Sequence, residues 1–252
     1  GARLNRRMHN KSFIVDGMQA IVGGRTIGAA YFDVGDDVHF RDLDTLAIGP
    51  VVPQIAASFD AYWNSDAAFP VRAFSGPDAT PLDLAHARAQ LGQSARAFSE
   101  SDYAQALAWE LPNGPSADRR GGWFWGDAHL IADAPEKADP DQGRHATHMD
   151  HQVRQVIEAA REQALLVSPY FIPGDKGAAL LETLARRGVD IKVLTNSLAA
   201  TDEPEVHAAY ARYRRRLLAA GIELYEFRPI GGRNTRNALG RSSGVSLHAK
   251  TM

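Results

Sequence analysis

No cysteine occurs among the 252 residues. That excludes disulfides, thiolate metal sites and a cysteine nucleophile. It fits a reducing compartment, although exported proteins also lack cysteine. No apolar run approaches the ~18 residues of a membrane span, and no secretory pattern opens the chain. The chain instead begins "GARLNRRMHNK", directly into what reads as a core strand, so residues are expected to be missing on both sides. Net charge is also nearly absent: 28 basic against 30 acidic side chains give −2. Attraction to an anionic partner must therefore come from a local patch. Short-period repeats are lacking as well.

What is present reads as an α/β chain. "SFIVDGMQAIV" predicts two short strands around an Asp-Gly turn, and "LDTLAIGPVV" a further strand. "PQIAASFDAYWNS" spaces Ile55, Phe59, Tyr62 and Trp63 as the buried face of a helix. A Pro/Gly/charged stretch at 112–122 marks a lobe boundary, which divides the chain into 1–115 and 116–252. Beyond it "GWFWGDAHLIADAP" reads as strand and turn. Strands at "ALLVSPYFIPG", "VDIKVLTNS" and "IELYEF" then alternate with helices at "HMDHQVRQVIEAAREQ", "KGAALLETLARRG" and "EVHAAYARYRRRLLAAG". This alternation predicts a sheet covered by helices, and Gly188 a helix C-cap.

Chemistry concentrates in two His-x-Lys elements, "RMHNK" near the start and "SLHAKTM" at the end. In extended backbone residues i and i+2 share a face, so His9 sides with Lys11 and His248 with Lys250. Asp16 has the opposite parity unless its turn re-aims it. Neutral imidazole attacks phosphorus and titrates near neutrality, and a neighbouring ammonium binds non-bridging phosphate oxygens. One histidine attacking a phosphodiester and another protonating the leaving oxygen would need neither metal nor cofactor. "GGRTIG" follows the first element. There Gly24 lets backbone N–H groups approach an anion, and Thr26 adds a hydroxyl. A single His-x-Lys among nine histidines is unremarkable; two, one followed by Asp16, Gly23 and Gly24, are far less expected by chance.

"HNKSFIVD" resembles the His-x-Lys-x4-Asp motif of the phospholipase D superfamily, and "LHAKTM" resembles the start of its second copy. "FRDLDTLAIGPVVPQIAASFDAYWNS", "SPYFIPG" and "VLTNSLAATDEPEVHAAYARYRRRLLAAGIELYE" are similar to bacterial cardiolipin synthases of that type, in particular their third class. The resemblance implies a two-lobe α-β-α sandwich with mixed β-sheets, each lobe incomplete in this chain. It implies a phosphohistidine intermediate with His9 as nucleophile and His248 as general acid, or the reverse. Lys11 and Lys250 would bind phosphate oxygens, and Asp42 would orient a motif histidine. Thr26 stands where the family carries Asn, which keeps a donor and an acceptor but loses the amide. The second motif's Asp would fall beyond Met252, so the chain reads as the middle of a longer enzyme.

The implied activity is phosphatidyl transfer between phospholipids, with cardiolipin as product. Hydrolysis by a phospholipase D, a nuclease-type phosphodiesterase, and an inactive binding fragment are the alternatives. The implied partner is an anionic phospholipid headgroup, met by peripheral association at the cytoplasmic face of a bacterial inner membrane. Nucleic acid is disfavoured, because the basic residues are not interleaved with stacking aromatics. Nothing sets the oligomeric state.

Other residues admit plainer readings. Tyr170, Asn196 and Ser197 follow predicted strands, where α/β sites form, and are candidates for substrate contact. Trp123 and Trp125 read as core packing ahead of a lipid channel. His145, His148 and His151 read as a solvated helix start ahead of a metal site. Eight arginines between Arg212 and Arg241 read as attraction for headgroups.

Overall fold

A computed structural model describes residues 8–32, 39–74, 76, 78–101, 104, 105, 108, 123–138, 149–229, 235, 236 and 242–252. It divides into two compact units, residues 1–63 with 129–252, and residues 64–128. The lobe boundary expected at 112–122 falls outside the described residues.

The larger unit is mixed α/β. Strands β1 (Ser12–Val15), β2 (Gln19–Gly23) and β4 (Asp44–Ile48) form an antiparallel sheet in the order β1-β2-β4. The Asp-Gly turn expected between β1 and β2 is there. Asp16 and Gly17 take φ of +51° and +65°, and the Met18 N–H donates to the Val15 carbonyl at 3.0 Å. Positive φ at both central positions matches the strand twist, which is why this dipeptide closes tight hairpins. Helix α1 (Val51–Trp63) covers the sheet, with Val52 and Ile55 buried beside Ala20. Its expected apolar face is shorter than the spacing predicts. Phe59 and Trp63 are exposed and stack on each other at 5.7 Å, while the buried positions of the helix are Val52 and Ile55 in its first half.

Strands β5 (Gln163–Val167), β6 (Asp190–Asn196) and β7 (Glu223–Phe227) form a parallel sheet, with α4 (Gly174–Arg186) and α5 (Pro204–Ala219) as crossovers. A further helix, α3 (Met149–Glu158), precedes β5. Both crossover helices end in the same device. Gly188 (φ +87°) and Gly221 (φ +84°) take the left-handed conformation that glycine adopts without strain. Val189 N–H then donates to Leu184 O and Ile222 N–H to Leu217 O, at 3.1 and 3.2 Å. These hydrogen bonds set Val189, Leu184, Ile222 and Leu217 into one core with Leu181, Ile191 and Val193. Truncating a fully buried leucine such as Leu184 or Leu217 to alanine would cost about 2–5 kcal/mol. The rigid result fixes where β6 ends.

Two more strands complete the setting: β3 (His39–Arg41) pairs in parallel with β10 (Val245–Leu247), and β8 (Thr235–Arg236) pairs with β9 (Ser242–Ser243).

The smaller unit contains α2 (Pro81–Ser99). Thr80 and Asp83 cap it reciprocally: the Thr80 hydroxyl accepts from Asp83 N–H at 3.2 Å, and the Asp83 carboxylate accepts from Thr80 N–H at 2.9 Å. Residues 123–128 of this unit form no strand, and Trp123 and Trp125 are 44% and 80% exposed. The expectation that they pack in a core is therefore corrected: the irregular backbone presents the run outward. Among the described residues no helix is long and apolar enough to cross a membrane.

Candidate active site

The C-terminal His-x-Lys lies just past β10. Parallel pairing with β3 brings it against a segment about two hundred residues away in sequence: His248 N–H and Ala249 N–H both donate to Arg41 O, at 2.7 and 3.0 Å. Asp42, the next residue after β3, therefore faces the imidazole, and its Oδ2 lies 2.6 Å from His248 Nδ1. The Asp42 side chain is fully buried and that of His248 is 12% exposed. An ionised carboxylate only accepts, so Nδ1 must carry a proton and the lone pair of the neutral ring sits on Nε2.

Asp42 is held in turn by its surroundings. Its Oδ1 accepts from Leu43 N–H at 2.9 Å. Gly24 leaves the space the carboxylate fills: a Cβ there would come within 2.5 Å of both carboxylate oxygens. Gly23 leaves similar space for Asp44, which binds Arg25 Nε at 2.6 Å, while Arg25 also donates to the Tyr31 carbonyl. The Gly-Gly-Arg turn is thus locked onto the connection between β3 and β4. Tyr31, Phe40 and Tyr170 surround the His248 ring at centroid distances of 5.2, 5.1 and 6.3 Å.

Lys250 Nζ lies 3.4 Å from His248 Nε2 and donates to the His248 carbonyl at 2.8 Å. The other element repeats this arrangement, with Lys11 Nζ donating to the His9 carbonyl at 2.9 Å. Both elements flank strands instead of lying within them, His9 and Lys11 just before β1 and His248 and Lys250 just after β10. The two meet electrostatically. Burial lowers the Lys250 pKa most, and the Lys11 charge lowers it further, against the raising effects of Asp42 and Asp202. Two ammonium groups that repel each other beside an oriented imidazole have the charge and donors to bind a phosphoryl anion.

The remaining candidates separate by position. Tyr170 sits at the cluster, its hydroxyl donating to Asp202 at 2.9 Å. Asn196 is 2% exposed: its Nδ2 donates to Leu247 O at 2.9 Å, and its Oδ1 accepts from Leu247 N–H at 3.0 Å. It thereby ties β6 to the strand that delivers His248. Ser197 shapes the next turn, its hydroxyl accepting from Ala200 N–H at 3.2 Å. Asp16 and Thr26 are exposed in their turns. Two of the arginines read as a headgroup patch are in ion pairs, Arg214 with Glu226 at 2.7 Å and Arg216 with Glu182 at 2.5 Å. Arg233, Arg241, His145 and His148 lie outside the described residues. Among the described residues no cluster fit to hold a metal occurs. Sequence reasoning missed Tyr31, Phe40 and Asp202; the only sequence signal for Asp202 was its place after β6.

A family model described as cardiolipin synthase, PLD-like domain, matches residues 153–252. The chain is 38% identical to cardiolipin synthase C of Escherichia coli over 99% of its own length and 53% of that protein. The chain is similar to phospholipase D-like proteins of the cardiolipin synthase type. Its similarity extends to cardiolipin synthase 2 of Bacillus anthracis, at 27% identity over 89% of the chain and 35% of that protein. The fold resembles the crystal structure of phosphatidylserine synthase from Haemophilus influenzae, with a TM-score of 0.52, 13% identity, and coverage of 96% of this chain and 50% of that one. This phospholipase D-like chain spans about half the length of the curated relatives it matches. Relatives named for cardiolipin synthesis place the family in phospholipid metabolism.

Proposed function

We propose that this chain supplies the catalytic groups of a phosphatidyltransferase that makes cardiolipin through a phosphohistidine. One observation carries the reading: Asp42 fixes His248 at 2.6 Å beside the two motif lysines. His9 Nε2 attacks the phosphorus of a phospholipid. As the phosphorus–oxygen bond to the headgroup breaks, His248 gives its Nε2 proton to the leaving oxygen, and Asp42 stabilises the imidazolium beforehand. Lys11 and Lys250 neutralise charge on the non-bridging oxygens. His248, now neutral, takes the proton of an incoming alcohol, whose oxygen displaces His9 and restores it. With a phosphatidylglycerol hydroxyl as the alcohol the product is cardiolipin; with water it is phosphatidic acid. Asp16, Gly24 and Thr26 shape the turn beside the first motif. The enzyme would meet its lipids by peripheral association, at the cytoplasmic face of the inner membrane.

The test uses the full-length protein with labelled phosphatidylglycerol and, separately, DNA. Cardiolipin formation with an acid-labile phosphohistidine that vanishes in His9→Ala is expected, along with loss of turnover in His248→Ala. Turnover of DNA alone would replace the lipid reading with a nuclease. An absence of any trapped intermediate or turnover would leave a binding role.

A further inference from the structure

We propose that Tyr170 and Asp202 form a positioning pair for Lys250, in which the carboxylate fixes the phenol and the phenol ring supports the ammonium over the site. The inference rests on the reading that Lys250 binds a phosphoryl oxygen.

The geometry is built from both strand ends of the parallel sheet. Tyr170 follows β5, and its loop is tied to β6: Ser168 N–H donates to Leu194 O at 3.0 Å, and the Thr195 hydroxyl to Pro169 O at 3.4 Å. Asp202 sits two residues before α5. Its turn is held by Thr201 N–H donating to Ser197 O at 3.0 Å and Glu203 N–H donating to the Thr201 hydroxyl at 3.1 Å. Neither loop is free to drift, so the Tyr170 hydroxyl meets both Asp202 oxygens, at 3.1 and 2.9 Å. The ring is thereby set with its face toward Lys250 Nζ, 5.8 Å from the centroid, and nearly perpendicular to the His248 ring. A cation within about 6 Å of an aromatic face is attracted to it, more strongly where water is excluded.

Lysine has four rotatable bonds and loses its placement readily. A phosphate-binding lysine beside a second lysine has reason to swing away. The charged groups facing Lys250 are Asp42, Lys11, Asp202 and its own neighbour His248. Burial and Lys11 disfavour its charge; Asp42 and Asp202 favour it. Asp42 is already committed to His248 Nδ1, so Asp202 is the second carboxylate that offsets Lys11. Burial first, then the Asp202 charge, pushes the Tyr170 phenol far above its ordinary pKa, so it remains a neutral donor to that carboxylate.

The experiment follows the Lys250 side chain by NMR titration in the full-length protein, identified by its loss in Lys250→Arg, together with binding of inorganic phosphate. Removing the Asp202 charge (Asp202→Asn) should move Lys250 deprotonation to lower pH and weaken phosphate binding roughly 3–10-fold. Tyr170→Leu should weaken phosphate binding by a similar factor, whereas Tyr170→Phe keeps the ring without its tether to Asp202 and should fall between Tyr170→Leu and wild type. A merely structural role for Asp202 at the start of α5 would leave the Lys250 titration unmoved. Unchanged titration in Asp202→Asn, or equal phosphate binding by folded Tyr170→Phe and Tyr170→Leu, overturns the proposal. Neither readout needs turnover, so failure of phosphatidyl transfer would be seen separately.

Discussion

Gly24→Ala is the smallest change expected to disable the site. A Cβ at Gly24 would lie 2.5 Å from both Asp42 oxygens and 2.8 Å from its Cγ. Carbon–oxygen contacts rarely fall below about 3.0–3.4 Å, so the carboxylate must retreat by roughly 0.5–1 Å. That retreat is opposed, because the side chain is fully buried and already bonded to Leu43 N–H. A retreat of that size stretches the 2.6 Å contact to His248 to about 3.1–3.6 Å, at or beyond the limit of a hydrogen bond. The local overpacking costs about 1–3 kcal/mol of stability. Loss of an acid that orients a histidine and stabilises its protonated form costs about 10²–10⁴ in rate. The assay is a double-mutant cycle on full-length protein, reading turnover and denaturant midpoint. In an Asp42→Ala background the space is vacant, so Gly24→Ala should add less than about 0.5 kcal/mol and no further rate loss. Equal penalties in both backgrounds, or a single Gly24→Ala variant with near-native turnover, would refute the reasoning.

Asn196→Leu strips Leu247 of two hydrogen bonds in a buried strand and should cost about 2–4 kcal/mol, read by urea titration. Asn196→Asp turns an acceptor toward the Leu247 carbonyl and should be no milder; stability within 0.5 kcal/mol of wild type in both variants would show that the amide does not pin the strand. Burial, and then the Glu226 charge, push the Tyr210 phenol up to about 12, while Arg214 pulls the other way. A folded pKa above the ordinary value near 10 gives stability that is complete below pH ~10 and lost as the pH rises toward 12, on the order of 2 kcal/mol. Tyr210→Phe should lose that part of the alkaline sensitivity, which equilibrium unfolding between pH 9 and 12 measures.

Residues that act through neighbours in the chain were legible in the sequence. The Asp16-Gly17 turn requires positive φ, and Gly188 ends α4 in the same left-handed region, so residue type alone predicted both. The alternation of β5, α4, β6, α5 and β7 was legible because each element spans at least one full hydrophobic period. The aromatic wall was not. Tyr31 stands on a single helical turn, Ala29–Tyr31, and Phe40 on a three-residue strand. Neither has a period to read, and both acquire meaning only when β10 pairs with β3. Trp123 and Trp125 misled for the converse reason: aromatic type suggested burial, but residues 123–128 form no strand and leave both rings exposed.

Asn196 shows how placement redefines a residue. Its position after a sheet strand suggested substrate contact, yet its amide is bonded to Leu247 through both oxygen and nitrogen and to the Ser246 hydroxyl, and lies at 2% exposure. The polar groups on the exposed side of that same connection are Tyr170, Asp202 and Lys250, linked hydroxyl to carboxylate and ring to ammonium. The division follows from desolvation. A buried amide keeps its free energy only when both ends are bonded, so it serves the backbone. A lysine kept charged beside a second lysine needs compensation, and Asp42 and Asp202 both favour the Lys250 charge. Asp42 cannot supply all of that compensation while it holds His248. On the proposed reading the site uses two carboxylates for two tasks, one on the imidazole and one behind the phenol, and the two ammonium groups are left to meet a phosphodiester.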